Sequence, residues 1–157
     1  MSTILKLARR LLAVSQTGLH FAREEYDRER YREVADIATR LLALESSHSA
    51  QDLHGAWFVE DGYATPKIDV RGACFRENRI LLVRERSDGK WTLPGGWADV
   101  NDSPSGAVEK EIEQESGFTA RAVKLAAVYD RDKHNHPAYL FHLWKMFFVC
   151  EITGGEA

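Results

Sequence analysis

One stretch constrains the fold more than any other, and it runs from Gly95 to Phe118 as GGWADVNDSPSGAVEKEIEQESGF. Ser103 followed by Pro104 predicts a helix start, because serine accepts hydrogen bonds from the free amides of the first turn and proline is tolerated there. Gly117 predicts the end of that helix, since glycine readily adopts the left-handed conformation of a helix exit. The stretch therefore predicts one helix entered from a diglycine bend through a polar loop.

This helix is predicted to carry an acidic stripe beside an apolar one. Glu111 and Glu115 are four residues apart and Gln114 lies three after Glu111, so the three side chains share one side of the helix, whereas Val108 and Ile112 form the adjacent buried stripe. Hard divalent cations prefer oxygen ligands in such an arrangement. The helix is either a seat for such a cation or an ordinary solvated amphipathic helix.

The stretch resembles the Nudix box, G-x5-E-x7-R-E-U-x-E-E-x-G-U, in which U is apolar. The positions that fit are Gly96, Glu111, Ile112, Glu115, Gly117 and Phe118. Three positions depart, since Asp102 replaces the first glutamate, Lys110 the arginine and Gln114 the first glutamate of the closing pair. Loop length, both glycines and the carboxylate spacing agree together, which favours the box over an ordinary solvated helix.

The resemblance extends over the rest of the chain. The phrases that carry it are AVSQTGLHFAREEYDRERYREV, DGYATPKIDVRG, LLVRERSDGKWTLPGGWADV and AVYDRDKH. They are similar to bacterial Nudix hydrolases with a helical N-terminal module, among them CDP-choline and ADP-ribose pyrophosphatases. The resemblance implies an α+β fold, with an N-terminal helical module over 1–63 and a Nudix hydrolase domain over 64–157. That domain is expected to be an α/β/α sandwich that lacks the last strand and helix of its relatives.

The periodicity of the apolar residues changes at Thr65-Pro66. Before it the spacing is helical, and the predicted buried faces are Ile4, Leu7, Ala8, Leu11 and Leu12, then Tyr31, Val34, Ile37, Ala38, Leu41 and Leu42. After it the pattern is typical of strands, with a hairpin turn at Glu77-Asn78. Strands around one functional helix predict a mixed sheet with helices on its faces. The helical hairpin either serves as a stabilising appendage or takes part in substrate binding, and its small apolar face predicts packing on the next domain or on a second copy.

Phosphoanhydride hydrolysis requires neutralised phosphates and an activated water, which a hard cation held by oxygen ligands supplies. We expect Mg²⁺, with Mn²⁺ as a substitute, and Glu111 and Glu115 as ligands and catalytic residues. The resemblance adds a backbone carbonyl at Gly95 or Gly96. One of the two glutamates, or an acid from a loop, would orient or deprotonate the water.

Two departures from the box change this site. Lys110 is near enough along the helix to steady a carboxylate, but as a point charge it lacks the arginine fork. Gln114 keeps a neutral oxygen that still reaches a metal. We expect it to weaken a second magnesium site without abolishing the first.

Candidate substrate-binding residues carry weaker signals. Arg84 and Arg86 share one face of a strand, where they meet phosphate or remain at the surface. Trp97 either stacks on a nucleobase or belongs to the core. Asp130 and His134 lie in a charged loop that forms either a lip facing the ligand or an ordinary solvated loop.

Composition limits the partners. The net charge of −3 is spread evenly along the 157 residues, which argues against a nucleic acid or a membrane surface. Cys74 and Cys150 lie in apolar strand-like runs, typical of buried reduced thiols in a cytoplasmic protein. The first residues combine arginines with an apolar pattern and lack a cleavage site, so we expect a helix and no signal peptide. A homodimer is the expected assembly.

The sequence therefore predicts a magnesium-dependent pyrophosphohydrolase of a nucleoside diphosphate linked to a group X, with CDP-choline and ADP-ribose as leading substrates. The products are a nucleoside monophosphate and phosphorylated X. The alternative is a catalytically impaired Nudix domain that binds a nucleotide or another protein, which Gln114 and the short C-terminus favour. A third hypothesis is a fragment whose full-length parent is the enzyme.

Overall fold

A computed structural model describes residues 2–45, 49–57, 61–137 and 139–156. The chain divides into two compact units, one made of 1–66 with 134–142 and the other of 67–133 with 143–157. In the sequence, residues 134–142 of the first unit thus interrupt the second unit. The domain division expected from the sequence, 1–63 and 64–157, stays a proposal.

The first unit is helical, with α1 over Thr3–Phe21, α2 over Glu25–Ala43 and α3 over Ala50–Trp57. Ser2 caps α1 by accepting hydrogen bonds from the amides of Ile4 and Leu5 at 3.1 and 3.4 Å. The core of this unit consists of Leu5, Ala8, Leu12, Ala35, Ala38, Leu42 and Leu53. Ala8 of α1 and Ala35 and Ala38 of α2 are fully buried in this core.

The predicted buried faces of α1 and α2 are confirmed only in part, at Ala8 and Leu12 of α1 and at Ala38 and Leu42 of α2. On α1 the predicted Ile4, Leu7 and Leu11 are 41%, 59% and 36% exposed, whereas Leu5 is buried. On α2 Ile37 is 48% exposed. Apolar residues occupy two stripes of α1, and helical spacing alone does not tell which stripe meets the partner helix.

Among its described residues, the second unit has the strands β1 Lys67–Arg76, β2 Arg79–Ile80, β3 Val83–Arg84, β4 Trp91–Thr92, β5 Phe118–Asp130 and β6 Leu143–Gly155. Four of them form a sheet in the order β2-β1-β6-β5, in which β1 is parallel to β6 and the other pairs are antiparallel. Strands β3 and β4 pair separately. The turn at Glu77-Asn78 has both φ angles positive, at 50° and 59°, as a tight hairpin requires. The predicted mixed sheet and the hairpin are confirmed.

Helix α4, Pro104–Ser116, packs on this sheet. Val108 and Ile112 are fully buried, and a Cβ placed on Gly72 of β1 would lie 2.6 Å from Ile112 Cδ1, so the helix approaches the strand more closely than a side chain allows. Ser103 accepts from the Gly106 amide at 3.0 Å, and Gly117 ends the helix with φ at 76°. The predicted helix boundaries and its buried stripe are therefore confirmed.

Two further sequence expectations concern the apolar segments. Cys74 and Cys150 are both buried free thiols, and they face each other across β1 and β6. Among the described residues, no helix combines the length and the apolar character that crossing a bilayer requires.

Candidate active site

The diglycine forms a sharp bend that lies along β1. Gly72 N donates to Pro94 O at 2.9 Å and Val70 N donates to Gly96 O at 2.8 Å. Gly95 between them has φ of +145°, and a Cβ at this position would lie only 2.0 Å from Val70 O. Only glycine fits this backbone, because any side chain would collide with the neighbouring strand.

Helix α4 brings both predicted glutamates to this bend. Glu115 Oε2 accepts a hydrogen bond from Gly95 N at 2.8 Å. The Glu111 carboxylate lies against Gly96, since a Cβ added there would be 3.0 and 3.1 Å from its two oxygens. Two carboxylates and the diglycine backbone thus meet at one place, through the spacing of one helical turn.

The two carboxylates repel each other. Burial, followed by the nearby charge of Glu115, raises the pKa of Glu111 above its ordinary value, while Arg71 and Lys110 act in the opposite direction. Like charges in a partly buried site favour either protonation or a bound cation. The donors are carboxylate oxygens, which suit a hard divalent ion, and this set therefore fits such an ion.

Glu111→Gln is expected to raise the melting temperature of the chelator-treated chain at pH 7. Because the folded pKa of Glu111 is raised, its contribution to stability is favourable below its ordinary pKa and is lost as pH rises through the folded pKa. The advantage of the variant should therefore shrink as pH falls. Thermal melts at pH 7 and pH 4 measure it, and a wild-type chain that melts no lower than the variant at pH 7 contradicts it.

Lys110 connects the loop before the helix to α4. Its Nζ donates to Asp99 Oδ2 at 2.6 Å and to Asp102 Oδ2 at 3.1 Å. These hydrogen bonds, first that of Asp99, raise the pKa of Lys110. Lys110 thus positions the carboxylates of the loop. Its described hydrogen bonds do not reach Glu111 or Glu115.

A cleft of about 720 Å³ opens beside the C-terminal half of α4. Its lining includes Arg84, Arg86, Trp91, Gln114 and Glu115. The predicted arginines thus line the same cleft as two of the predicted ligands, Gln114 and Glu115. Arg84 also donates from Nε to the Gly89 carbonyl at 2.9 Å, which holds it across the β3–β4 hairpin.

The other predicted substrate residues lie elsewhere. Trp97 is 44% exposed and pairs through its backbone with Asp69 of β1. Asp130 ends β5, and its Oδ1 accepts from the Asp132 amide at 3.1 Å. His134 belongs to the first compact unit. None of the three is among the residues that line the cleft.

Sequence reasoning missed a group of charged residues on the sheet. Asp69 and Arg71 of β1 and Lys145 of β6 form ion pairs with only 5%, 13% and 14% of their side chains exposed. The available signal was two opposite charges at alternate positions of the apolar segment IDVRGAC. Alternate residues of a strand share a face, so this pattern indicates a buried pair.

A mixed sheet with a helix that presents two glutamates to a diglycine bend is the arrangement expected of a Nudix domain. Comparison with known protein families agrees. The model of the NUDIX domain matches residues 65–157, and a second model, described as a UDP-X-like, N-terminal oligomerisation domain, matches residues 2–57. The chain belongs to the Nudix family, whose enzymes generally use divalent metals.

Similar proteins include several that are named for an enzymatic activity. The chain is 45% identical to the Bacillus subtilis protein named "Putative ADP-ribose pyrophosphatase YjhB", over 97% of this chain and 73% of that protein. It is 30% identical to an ADP-ribose pyrophosphatase of Methanocaldococcus jannaschii, over 60% of this chain and 56% of that protein. The chain thus spans just over half of the latter.

Solved structures give the same result. The match to the crystal structure of a UDP-X diphosphatase covers 98% of this chain and 74% of the diphosphatase chain, with 32% identity and a TM-score of 0.56. The crystal structure of an ADP-ribose pyrophosphatase from Streptococcus suis covers 59% of this chain and 64% of its own, with 43% identity and a TM-score of 0.53. The former likeness extends over the helical unit as well as the sheet.

Proposed function

We propose that this chain hydrolyses a nucleoside diphosphate linked to a second group X, with ADP-ribose as the leading substrate and CDP-choline next. The products are a nucleoside monophosphate and phosphorylated X. The observation that carries the proposal is the convergence of Glu111 and Glu115 on the diglycine bend, with Glu115 bonded to the Gly95 amide. The similarity to proteins named ADP-ribose pyrophosphatase supports the choice of substrate class.

Mg²⁺ is the proposed cofactor, with Mn²⁺ as a substitute. Glu111 and Glu115 would hold it, and an oxygen of Gln114 or a carbonyl of the diglycine would complete the set. Of the Gly95 and Gly96 carbonyls, that of Gly96 already accepts a hydrogen bond from the Val70 amide. The ion, when bound, shares the negative charge of the diphosphate and lowers the pKa of a water.

The side chains of the cleft are proposed to bind the phosphates and the base of the substrate. Arg84 and Arg86 offer guanidinium groups that match phosphate oxygens, and both line the cleft together with Glu115. Trp91, which is 65% exposed, gives an aromatic surface in the same cleft for a base.

In the reaction a water oxygen bonds to one phosphorus, the bridging P–O bond breaks, and the leaving phosphate keeps the electron pair. A carboxylate of the glutamate pair accepts the proton.

A substrate panel tests this function. The purified chain is incubated with Mg²⁺ and ADP-ribose, CDP-choline, a UDP-sugar or a dinucleoside polyphosphate, and nucleoside monophosphate release is measured. We expect the highest kcat/KM for ADP-ribose. The proposal is overturned if the chain hydrolyses none of these compounds with either Mg²⁺ or Mn²⁺.

A nucleotide-binding role without catalysis is the second candidate. Gln114 lies exposed on the cleft where the Nudix box has a carboxylate, so one charge for metal binding is missing. If the panel shows no turnover but calorimetry shows binding of ADP-ribose, this candidate replaces the first.

Gln114→Glu is expected to increase turnover about tenfold at low Mg²⁺ and to lower the Mg²⁺ concentration needed for half-maximal rate. A carboxylate binds a divalent ion more strongly than a neutral amide oxygen does, because it adds a full negative charge. Initial rates over a Mg²⁺ titration measure the effect. Glu113→Gln, which changes the same helix on its exposed side, is the control. An unchanged Mg²⁺ dependence contradicts the prediction.

A homodimer formed by the helical unit is also part of this proposal. Ile4, Leu7, Leu11 and Val14 recur at helical spacing on α1 and are 41%, 59%, 36% and 42% exposed. The matched description of this unit as an oligomerisation domain supports a second copy as the occupant of this stripe. Sedimentation equilibrium measures the assembly.

A cytoplasmic location, expected from the two unpaired buried thiols, belongs to the proposal as well.

A further inference from the structure

Three charged side chains of the sheet, Asp69, Arg71 and Lys145, form what we term the buried charge cluster. Arg71 donates from Nε and Nη2 to the two carboxylate oxygens of Asp69 at 2.9 and 3.0 Å. Lys145 Nζ donates to Asp69 Oδ1 at 2.9 Å from the neighbouring strand. The fork of Arg71 is thereby fixed in one orientation, since a bidentate pair defines both distance and plane.

Arg71 has a third contact that leads toward the active site. Its Nη1 donates to the Leu93 carbonyl at 3.1 Å. Leu93 immediately precedes Pro94 and Gly95, and the Gly95 amide is the group that holds Glu115. One guanidinium thus joins the buried Asp69 to the backbone that enters the bend.

The cost of burying these charges argues that they do more than stabilise the fold. Desolvation of an ion in a protein interior costs several kcal/mol, and apolar side chains of similar size often stabilise a sheet as well. Arg71 is also attracted by the carboxylates of the site. Burial acts to lower the pKa of Arg71, but Asp69 and then the charges of Glu115 and Glu85 outweigh it and raise that pKa.

We propose that Arg71 is a positioning residue that holds the segment Leu93–Gly95 in place so that the Gly95 amide stays bonded to Glu115. Asp69 orients Arg71, and Lys145 restrains Asp69 from the adjacent strand. This inference rests on the proposed function for its catalytic meaning. Its geometric content concerns the bend alone.

Arg71→Lys is the decisive variant, because it keeps the positive charge and removes the fork. A lysine cannot make the two bonds to Asp69 and the bond to Leu93 together. Retaining the charge also keeps the electrostatic repulsion of a metal ion unchanged. Arg121→Lys is the matched control, since Arg121 donates to Glu151 across β5 and β6 and is 64% exposed.

The first measurement is amide hydrogen exchange of the full chain, which is first treated with a chelator and then monitored by NMR. In Arg71→Lys we expect the Gly95 amide to exchange about tenfold faster, as the loss of roughly one hydrogen bond implies. The Phe148 amide, in the middle of the sheet, should change by less than about twofold and so reports the global stability. Arg121→Lys should leave both amides within about twofold of wild type.

The second measurement is Mn²⁺ affinity by calorimetry. We expect Arg71→Lys to weaken Mn²⁺ binding about tenfold and Arg121→Lys to leave it unchanged. If Gly95 exchange in Arg71→Lys stays within about twofold of wild type, the inference is overturned, whatever the Mn²⁺ affinity. Equal acceleration of the Gly95 and Phe148 amides also overturns it, because the role is then structural only.

A second variant covers the case in which Arg71→Lys does not fold. Asp69→Asn keeps the size of the side chain and weakens the orientation of Arg71, so faster Gly95 exchange is expected and unchanged exchange overturns the inference. A wild-type chain that neither binds Mn²⁺ nor hydrolyses the panel would refute the proposed function. The Gly95 measurement needs neither metal nor substrate and still decides the positioning.

Discussion

Replacing Glu115 by glutamine is expected to lower the turnover of ADP-ribose about a thousandfold while the fold is preserved. Glutamine has the same shape, and its amide oxygen can still accept the Gly95 amide that Glu115 now binds at 2.8 Å. It loses only the negative charge at the bend. A divalent ion supplies several kcal/mol of transition-state stabilisation, and about 4 kcal/mol corresponds to three orders of magnitude in rate. Steady-state release of nucleoside monophosphate at saturating Mg²⁺ measures the loss.

Glu113→Gln is the matched control for this prediction. It makes the same change of charge two residues earlier on α4, at an exposed position that does not line the cleft. We expect its kcat to stay within about twofold of wild type, and both variants should melt within about 2 °C of wild type. A Glu115→Gln chain that keeps more than about a tenth of the turnover would show that this carboxylate does not hold the ion.

The sequence predicted the surroundings of α4 well because the signals there are local. Ser103, Pro104 and Gly117 act within one turn of the helix, and the capping bond and the positive φ in the structure are those expected. The spacing of Glu111 and Glu115 places both on one side of any helix. The turn at Glu77-Asn78 is local in the same sense.

The faces of the N-terminal helices were harder to predict because the deciding information is tertiary. Leu7 and Leu11 have the same period as the buried Leu5 and Leu12, so the spacing fits two stripes equally well. The choice depends on where Ala35 and Ala38 of α2 allow close approach. That information lies in a second helix and is absent from the periodicity of the first.

The buried charge cluster is the part of the site that sequence reasoning did not reach. Lys145 lies 76 residues from Asp69, and the Leu93 carbonyl lies 22 residues from Arg71. The parallel pairing of β1 and β6 brings the first pair together, with Asp69 opposite Lys145. A strand pairing of that kind depends on the whole sheet, so no local pattern encodes that Lys145 is the partner of Asp69.

Gly95→Ala is expected to lower the melting temperature by about 10 °C and to abolish metal-dependent turnover. The backbone has φ of +145°, a region that side chains rarely adopt, and the new Cβ would lie 2.0 Å from Val70 O and 2.9 Å from Arg71 Cα. Strain of this kind costs about 1 to 3 kcal/mol, and the clash with backbone atoms that cannot rotate away adds to it. About 3 kcal/mol in a chain of this size corresponds to a shift of that order.

The expected loss of turnover exceeds the loss of stability, because the bend that must move also carries the amide bonded to Glu115. Gly55→Ala is the control, since a Cβ there meets nothing within 4 Å and the residue lies inside α3. An alanine inside a helix should stabilise that segment by about 0.5 to 1 kcal/mol and leave turnover unchanged. Thermal melts, and rates measured at a temperature below both transitions, separate the two effects. If Gly95→Ala is folded at that temperature and turns over substrate at more than about a tenth of the wild-type rate, the diglycine bend does not position Glu111 and Glu115 for turnover.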